Sequence, residues 1–397
     1  MNGSGDAVRA MALAVSAVAV LGCSSADPRA DQGEARTIAT RDRVVVELGP
    51  REVLLGSGAL GLRYFPDEKV VLLERRPLLR LLVTAAETTY LVEGRDLRHL
   101  ERARPVLAPG PPGSFDNGYA GIGGVYRGDE RKLYAFYHAE DQEDMPPLPS
   151  LAPGFYASIG SAVSSDGGST WEKLGPVITS AKPKSWSARP NHGDKGAAVP
   201  SVVLDRDGTH LLAYYTEHSY VDGRGPPICL ARADLSEGPP VPGRWRKYHA
   251  GRFDEPGLGG LDTPILPPTF GQPAVVFSQE LDRFVMVMIG VWWREMHEDD
   301  PGAASSPALP LERSGMYIAF SWDGIAWSDP EALFIDYSLP RLARSLSWMP
   351  TLLWDEASST EGWLVYSHSP HWGHRFGEQP HFMVGRRIQL TSAGPSQ

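Results

Sequence analysis

The chain has 397 residues, a formal net charge of −10, 42 glycines, 35 prolines and two cysteines. That length suits one large all-β domain or two ordinary ones. The acidic balance, with no basic cluster to track a phosphate backbone, argues against nucleic acid as a partner and disfavours acidic polymers. Abundant turn formers beside 11 Trp, 14 Tyr and 12 Phe point to many short strands on tight connections rather than long helices.

Arg9 gives a thin positive segment, and residues 10–21 form an apolar run too short to span a bilayer comfortably, as in a signal peptide. The run ends in Val20-Leu21-Gly22-Cys23-Ser24-Ser25. This resembles a bacterial lipobox, which implies cleavage after residue 22 and lipidation of Cys23; a plain signal peptide with an incidental Cys is the alternative. On the lipobox reading, residues 1–22 are signal peptide, 23–40 a polar flexible tether, and 41–392 a single domain. The protein is then an exported lipoprotein, facing periplasm or cell surface and touching the membrane only through its N-terminal lipid. Cys229 is left alone, so no disulfide framework is expected, and within Ile228-Cys229-Leu230-Ala231 it reads as a small buried hydrophobe.

Beyond the tether, strand follows strand. A first group holds residues 43–48, 70–73, 80–84 and 89–92; a second runs from 120–126 through Leu133-Tyr134-Ala135-Phe136-Tyr137-His138. It closes on Ser164-Ser165-Asp166-Gly167-Gly168-Ser169-Thr170-Trp171. There Asp166 is placed to accept backbone N–H groups, the two glycines supply positive φ, and Trp171 can bury a ring against the neighbouring sheet. A third group starts at 197–204 and repeats the aromatic strand as Leu211-Leu212-Ala213-Tyr214-Tyr215-Thr216. A fourth holds 274–277 and 283–288 and ends in a shorter copy of the turn, Ser321-Trp322-Asp323-Gly324-Ile325-Ala326-Trp327. A fifth holds 351–354, 363–368 and 382–387. In groups two to five a first strand leads through an acidic or Asp-Gly turn into an aromatic strand with a polar end, the grammar of an internal repeat.

The Ser164–Trp171 string matches the S-x-D-x-G-x-T-W pattern of the Asp box, and the chain thereby resembles the Asp-box β-propellers, sialidase-like proteins among them. The resemblance implies that Asp166 and Asp323 hold outer hairpins and take no part in catalysis. Five groups make a five-bladed β-propeller the expected fold, with four to six blades tolerated. In that architecture the chain is similar to the arabinanase, levansucrase and invertase type of glycosidase. That resemblance implies three carboxylates at the channel mouth: a base or nucleophile, a general acid, and one that tunes pKa and orientation.

Position within the groups nominates candidates. Asp116 leads into the second group and is the expected base or nucleophile; Asp194, in Asn191-His192-Gly193-Asp194-Lys195-Gly196, leads into the third and is the third carboxylate. Glu217 ends the aromatic strand of the third group and is the expected general acid. His138 and Glu140, two residues apart at the matching end of the second group, share a strand face. They are expected to bind substrate, together with His192, Lys195, His218, Gln272, Trp292, Arg294, Arg344 and His368, and Trp348 occupies a similar place. His368, His371 and His374 have a spacing interrupted by Pro370 that favours a loop over a metal site. No cofactor is expected, and a central Ca2+ held by carbonyls and water stays open.

The function expected is that of a cell-surface glycoside hydrolase acting on an external poly- or oligosaccharide through paired carboxylates. The alternative is a non-catalytic lipoprotein propeller that binds carbohydrate or protein. A sialidase proper is disfavoured, because no Arg-Ile-Pro motif occurs. Sugar, linkage, stereochemical outcome and oligomeric state stay open.

Overall fold

A computed structural model describes residues 33–146, 153–187, 195–219, 227–290, 314–336, 345–370 and 380–393. Apart from short helical turns the described residues are strands and loops, and none of their helices is long and apolar enough to cross a membrane. The chain opens with β1 (Arg36–Ala39), β2 (Val44–Leu48) and β3 (Glu52–Leu55). Antiparallel ladders then follow in chain order as five successive sheets. The first is β4 (Val71–Glu74), β5 (Leu79–Ala85), β6 (Thr88–Asp96) and β7 (His99–Leu107). The second is β8 (Tyr119–Arg127), β9 (Leu133–Asp141), β10 (Tyr156–Ser164) and β11 (Glu172–Thr179). The third is β12 (Lys195–Leu204), β13 (His210–Glu217), β14 (Ile228–Asp234) and β15 (Trp245–His249), extended by β16 (Arg252–Pro256). The fourth is β17 (Phe270–Ser278), β18 (Arg283–Gly290), β19 (Gly315–Ser321) and β20 (Glu331–Ile335). The fifth is β21 (Leu346–Trp354), β22 (Glu361–Ser369) and β23 (Phe382–Ser392). The first three sheets are joined edge to edge by short parallel pairings of β6 with β8 and of β10 with β12.

The first strands of the sheets form a closed ring. β4 packs on β8, β8 on β12, β12 on β17 and β17 on β21. Val70, at the head of β4, donates its N–H to Thr351 Oγ1 of β21 at 3.0 Å and completes the circuit. Each interface has its own hydrophobic cluster, because the middle strands are buried on both faces. On β13, Ala213 and Tyr215 pack toward Phe136 and Ile159 of the second sheet. Leu212 and Tyr214 pack toward Phe284 and Met286 of the fourth. Leu353, Trp363 and Val365 of the fifth sheet meet Leu79, Leu81 and Val83 of the first. The fold is an all-β propeller.

Three first strands carry the same irregularity. Val199, Gln272 and Met349 take φ of 55, 53 and 52°, each directly before a proline, and strand pairing shifts register there. A non-glycine residue at positive φ is costly. A bulge accommodates it, and proline, which lacks an N–H, fits where a ladder bond is skipped.

The N-terminal strand corrects the sequence grouping. Residues 43–48 were expected with the first group, but β2 pairs with β23, Val46 facing Leu390. The fifth group had three strands of its own, so the chain's beginning supplies its outer edge and the ring is sealed by its two ends. Arg386 of β23, wholly buried, donates Nε to Gly49 O at 2.8 Å.

Both Asp-box-like turns are locked as their residues suggest. Asp166 Oδ1 accepts from Ser169 N at 3.0 Å and Thr170 N at 2.9 Å, and Oδ2 accepts from Thr170 Oγ1 at 2.7 Å. Burial raises the Asp166 carboxyl, but these bonds and one from Ser164 outweigh it and hold it at about 2. Asp323 Oδ1 accepts from Ile325 N and Ala326 N, both at 2.8 Å. Trp171 packs into the cluster between the first two sheets, and Trp327 meets Tyr214 of the third edge-on.

Candidate active site

A closed ring of parallel-running first strands brings the loops that lead into them, and the polar ends of the second strands, to one end of the axis. There the structure gathers carboxylates. Asp67 and Glu68 precede β4, and Glu140 and His138 lie at the end of β9. Glu68 and Asp116 are wholly or nearly buried, and Glu140 is 8% exposed.

Asp67 stands among these acids. Burial, then the charges of Glu140 and Glu68, push its carboxyl well above the ordinary 3.8, against hydrogen bonds from Tyr119 and Trp348. Tyr119 also donates to the Asp67 backbone carbonyl at 2.5 Å. Burial raises Glu68 too, with Lys69 pulling it back. The Lys69 ammonium is buried, 3.2 Å from Glu68 Oε1, and donates to Val199 O of β12 at 3.2 Å, which ties the first sheet to the third. Burial lowers His138 to about 3, with His218 and Lys69 adding to the effect, so the ring is neutral at physiological pH. Its two nitrogens lie 3.8 Å from Glu68 Oε2 and 3.7 Å from Glu140 Oε1, beyond hydrogen-bond range. Among the described residues neither nitrogen has a hydrogen-bond partner. Gln142 Nε2 donates to Glu140 Oε2 at 2.8 Å.

Aromatic rings close around the acids. Tyr64 lies 3.9 Å from the His381 ring and 6.3 Å from Trp348, centroid to centroid. Tyr119 lies 4.9 Å from His138, which meets Phe155 edge-on at 5.9 Å. Residues from the first, second, third and fifth sheets thus share one centre.

Glu217 ends β13 and is 2% exposed. Its Oε1 accepts from Ser219 N at 2.9 Å, and its buried Oε2 has no hydrogen-bond partner among the described residues. Burial, then Asp262, raise its carboxyl to about 7, against Lys247 and Ser219. His218, the next residue, is near enough to His138 to depress it.

The remaining candidates are placed as follows. Asp116 has its own partners: Lys173 of β11 sits 2.5 Å from its Oδ2, and Tyr137 OH donates to that oxygen at 3.1 Å. Gln272 uses Oε1 to accept Met349 N at 2.9 Å and its own N–H to reach Thr216 Oγ1, a tie across three sheets. His368 Nδ1 lies 3.0 Å from Ser347 Oγ and 3.8 Å from Asp336 Oδ2. Burial raises Asp336, but His368 and two serines outweigh it and hold it below 3.8. Cys23, His192, Asp194, Trp292, Arg294, Arg344, His371 and His374 lie outside the described residues, as does the Lys195 side chain. Cys229 is buried, as expected. Among the described residues no group of three His, Cys, Asp or Glu side chains is spaced to hold a metal ion.

The sequence reading missed Asp67, Glu68 and Lys69. The signal was present: this acidic stretch leads into Val70-Val71-Leu72-Leu73, the first strand of its group, just as Asp116 leads into the second.

No family model matches the chain, and no curated protein does. Solved structures do match. An α-L-arabinofuranosidase from Lactobacillus brevis is similar over 83% of this chain and 92% of its own, with a TM-score of 0.51 at 11% identity. A structure described as a glycoside hydrolase is similar over 87% and 92%, with a TM-score of 0.50 at 13% identity. What the chain shares with these two proteins is the propeller fold.

Proposed function

We propose that this protein is a glycoside hydrolase acting on an external poly- or oligosaccharide, with its acids at the centre of the ring. Glycosidic cleavage needs one carboxylic acid to protonate the leaving oxygen and one carboxylate to attack carbon or activate water. Their environments must set them apart. Glu217 suits the acid: buried, raised to about 7, and with one oxygen uncommitted. Asp67 and Glu140 suit the opposing role as a pair. Repulsion between them favours one shared proton, which leaves one carboxylate to act and one to tune it. They stand in this reading where Asp116 was expected, since Asp116 is taken up by Lys173.

The observation that carries the reading is the convergence of Asp67, Glu68 and Glu140, a neutral His138 and the rings of Tyr64, Tyr119 and Trp348 on one centre. Aromatic faces suit sugar rings, and the acids suit the glycosidic bond. The shared fold with an α-L-arabinofuranosidase supports the same class of chemistry. Residues 1–22 and Cys23 add a place for it, anchored outside the cytoplasm by one lipid.

The test is release of reducing sugar from plant, algal and bacterial glycans by the protein lacking its first 23 residues. Asp67→Asn, Glu140→Gln and Glu217→Gln, each folded by circular dichroism, are expected to lose about 10²–10⁴-fold. Cleavage that survives all three changes, or glycan binding with no cleavage of any substrate, overturns the proposal.

A further inference from the structure

Behind Glu217, between the second and third sheets, sits an ion pair that the proposed chemistry does not use. Lys247 of β15 is fully buried, and its ammonium lies 2.7 Å from Asp262 Oδ2 and 2.9 Å from Gly260 O. Asp262 also takes the Tyr215 hydroxyl at 3.3 Å on Oδ2, and Cys229 Sγ lies 3.5 Å from Oδ1. A buried pair is a poor source of stability, since well-packed apolar residues do as well or better. Its place is better explained by what it faces: Asp262 takes the Tyr215 hydroxyl and the Lys247 ammonium lies 5.8 Å from the Tyr215 ring centroid, and Tyr215 and Glu217, two residues apart on β13, share one buried strand face.

We propose that the Lys247–Asp262 pair is a positioning element for Glu217, fixing the charge that the Glu217 carboxyl meets on its protein side. This rests on reading Glu217 as the proton donor. Asp262 discourages Glu217 from ionising, and Lys247 partly offsets it. When Glu217 gives its proton to the leaving oxygen and the glycosidic bond breaks, the new carboxylate stands near Asp262, and their repulsion favours return of a proton from solvent. Tyr215 on its own strand, Cys229 on β14 and Tyr156 on β10 do not supply this field: all three are held neutral, each pushed upward chiefly by burial; His218, the next residue, acts on His138.

The experiment follows the Glu217 carboxyl by NMR of glutamate labelled in its side-chain carboxyl, with Glu217→Gln to assign the signal, alongside the pH profile of kcat/KM. Asp262→Asn leaves Lys247 unopposed. The Glu217 titration and the alkaline limb of the profile are both expected to move to lower pH by about one unit, a roughly tenfold loss of rate above that limb. Lys247→Gln/Asp262→Asn removes both charges and is expected to titrate between wild type and the single variant, because Asp262 outweighs Lys247 at Glu217. If Asp262→Asn fails to fold, a downward shift in the double variant still supports the proposal. A Glu217 titration unmoved in whichever variants fold overturns it. If the titration moves while the profile does not follow, the pair is confirmed and the assignment of Glu217 as proton donor falls.

Discussion

Replacing Glu217 with glutamine separates stability from activity in a way that only a buried, protonated acid allows. The Glu217 carboxyl is raised from the usual 4.5 to about 7, chiefly by burial and by Asp262. A raised folded value means that the folded protein holds the proton more tightly than the unfolded chain. The stability this contributes is complete below about pH 4.5 and is lost as pH rises through about 7. Each pH unit in that window is worth about 1.36 kcal/mol, so wild type forfeits about 3 kcal/mol across it. Glutamine has the same shape, keeps an oxygen for Ser219 N, and never ionises. Glu217→Gln is therefore expected to match wild type near pH 4.5 and to exceed it by about 3 kcal/mol at pH 8. Urea unfolding at half-unit pH steps reads this directly, with the m-value as a check that the unfolded state is unchanged. A variant that runs parallel to wild type across the window, or is the less stable at pH 8, would show Glu217 ionised at neutral pH. The general-acid role would fall with it.

Asp166→Ala removes the lock on the hairpin after β10 and is expected to cost about 1–2 kcal/mol with activity unchanged. The Asp166 carboxyl is held at about 2, so its contribution is present above 3.8 and lost as pH falls through 2; urea midpoints of wild type and variant should converge over that range. Trp245→Ala empties the site of a ring that is 1% exposed and packs edge-on against Phe136, which should cost about 3–5 kcal/mol in a thermal melt. Gly123→Ala places a Cβ 2.3 Å from Pro200 O, where first strands of neighbouring sheets meet, and should destabilise by about 1–3 kcal/mol; a variant with wild-type Tm would refute that contact.

What could be read locally was what local patterns encode. Leu211–Thr216 and its relatives show as aromatic runs because both faces of a middle strand are buried, and that burial has no partner-dependent subtlety. His138 and Glu140 emerged from strand alternation alone, and Glu217 from its matching position one sheet later. Ring closure is different in kind. Val46 faces Leu390, and nothing near residue 46 names a partner at the far end of the chain. The partners of Asp116 are of the same kind: Lys173, remote in sequence, sits 2.5 Å from its Oδ2. Lys247 and Asp262 meet across a loop and a strand, so neither carried a signal of its own. Asp67 obeys the same pattern one group earlier, leading into Val70-Val71-Leu72-Leu73 as Asp116 leads into the second group.

The central acids also bear on why the site lies where it does. Packing alone would fill this centre as it fills the five interfaces, with Leu, Val and aromatic side chains. Instead Glu68 and Lys69 are buried there, Asp67 is pushed well above its ordinary range, and among the described residues both nitrogens of His138 go without hydrogen bonds. Unsatisfied and repelling groups of this kind lower stability, and several of them are concentrated at this one point. Such concentration is the mark of a functional centre. The propeller makes it sustainable. Five sheets meet at the axis, each stabilised by its own outer cluster, so no single sheet has to bear the acids alone. A sandwich would bury the same groups in the middle of its only core. On the proposed function, the ring confines them to one end of the axis, where sugar hydroxyls would supply the hydrogen bonds that both His138 nitrogens, Glu68 Oε2 and Glu217 Oε2 lack among the described residues.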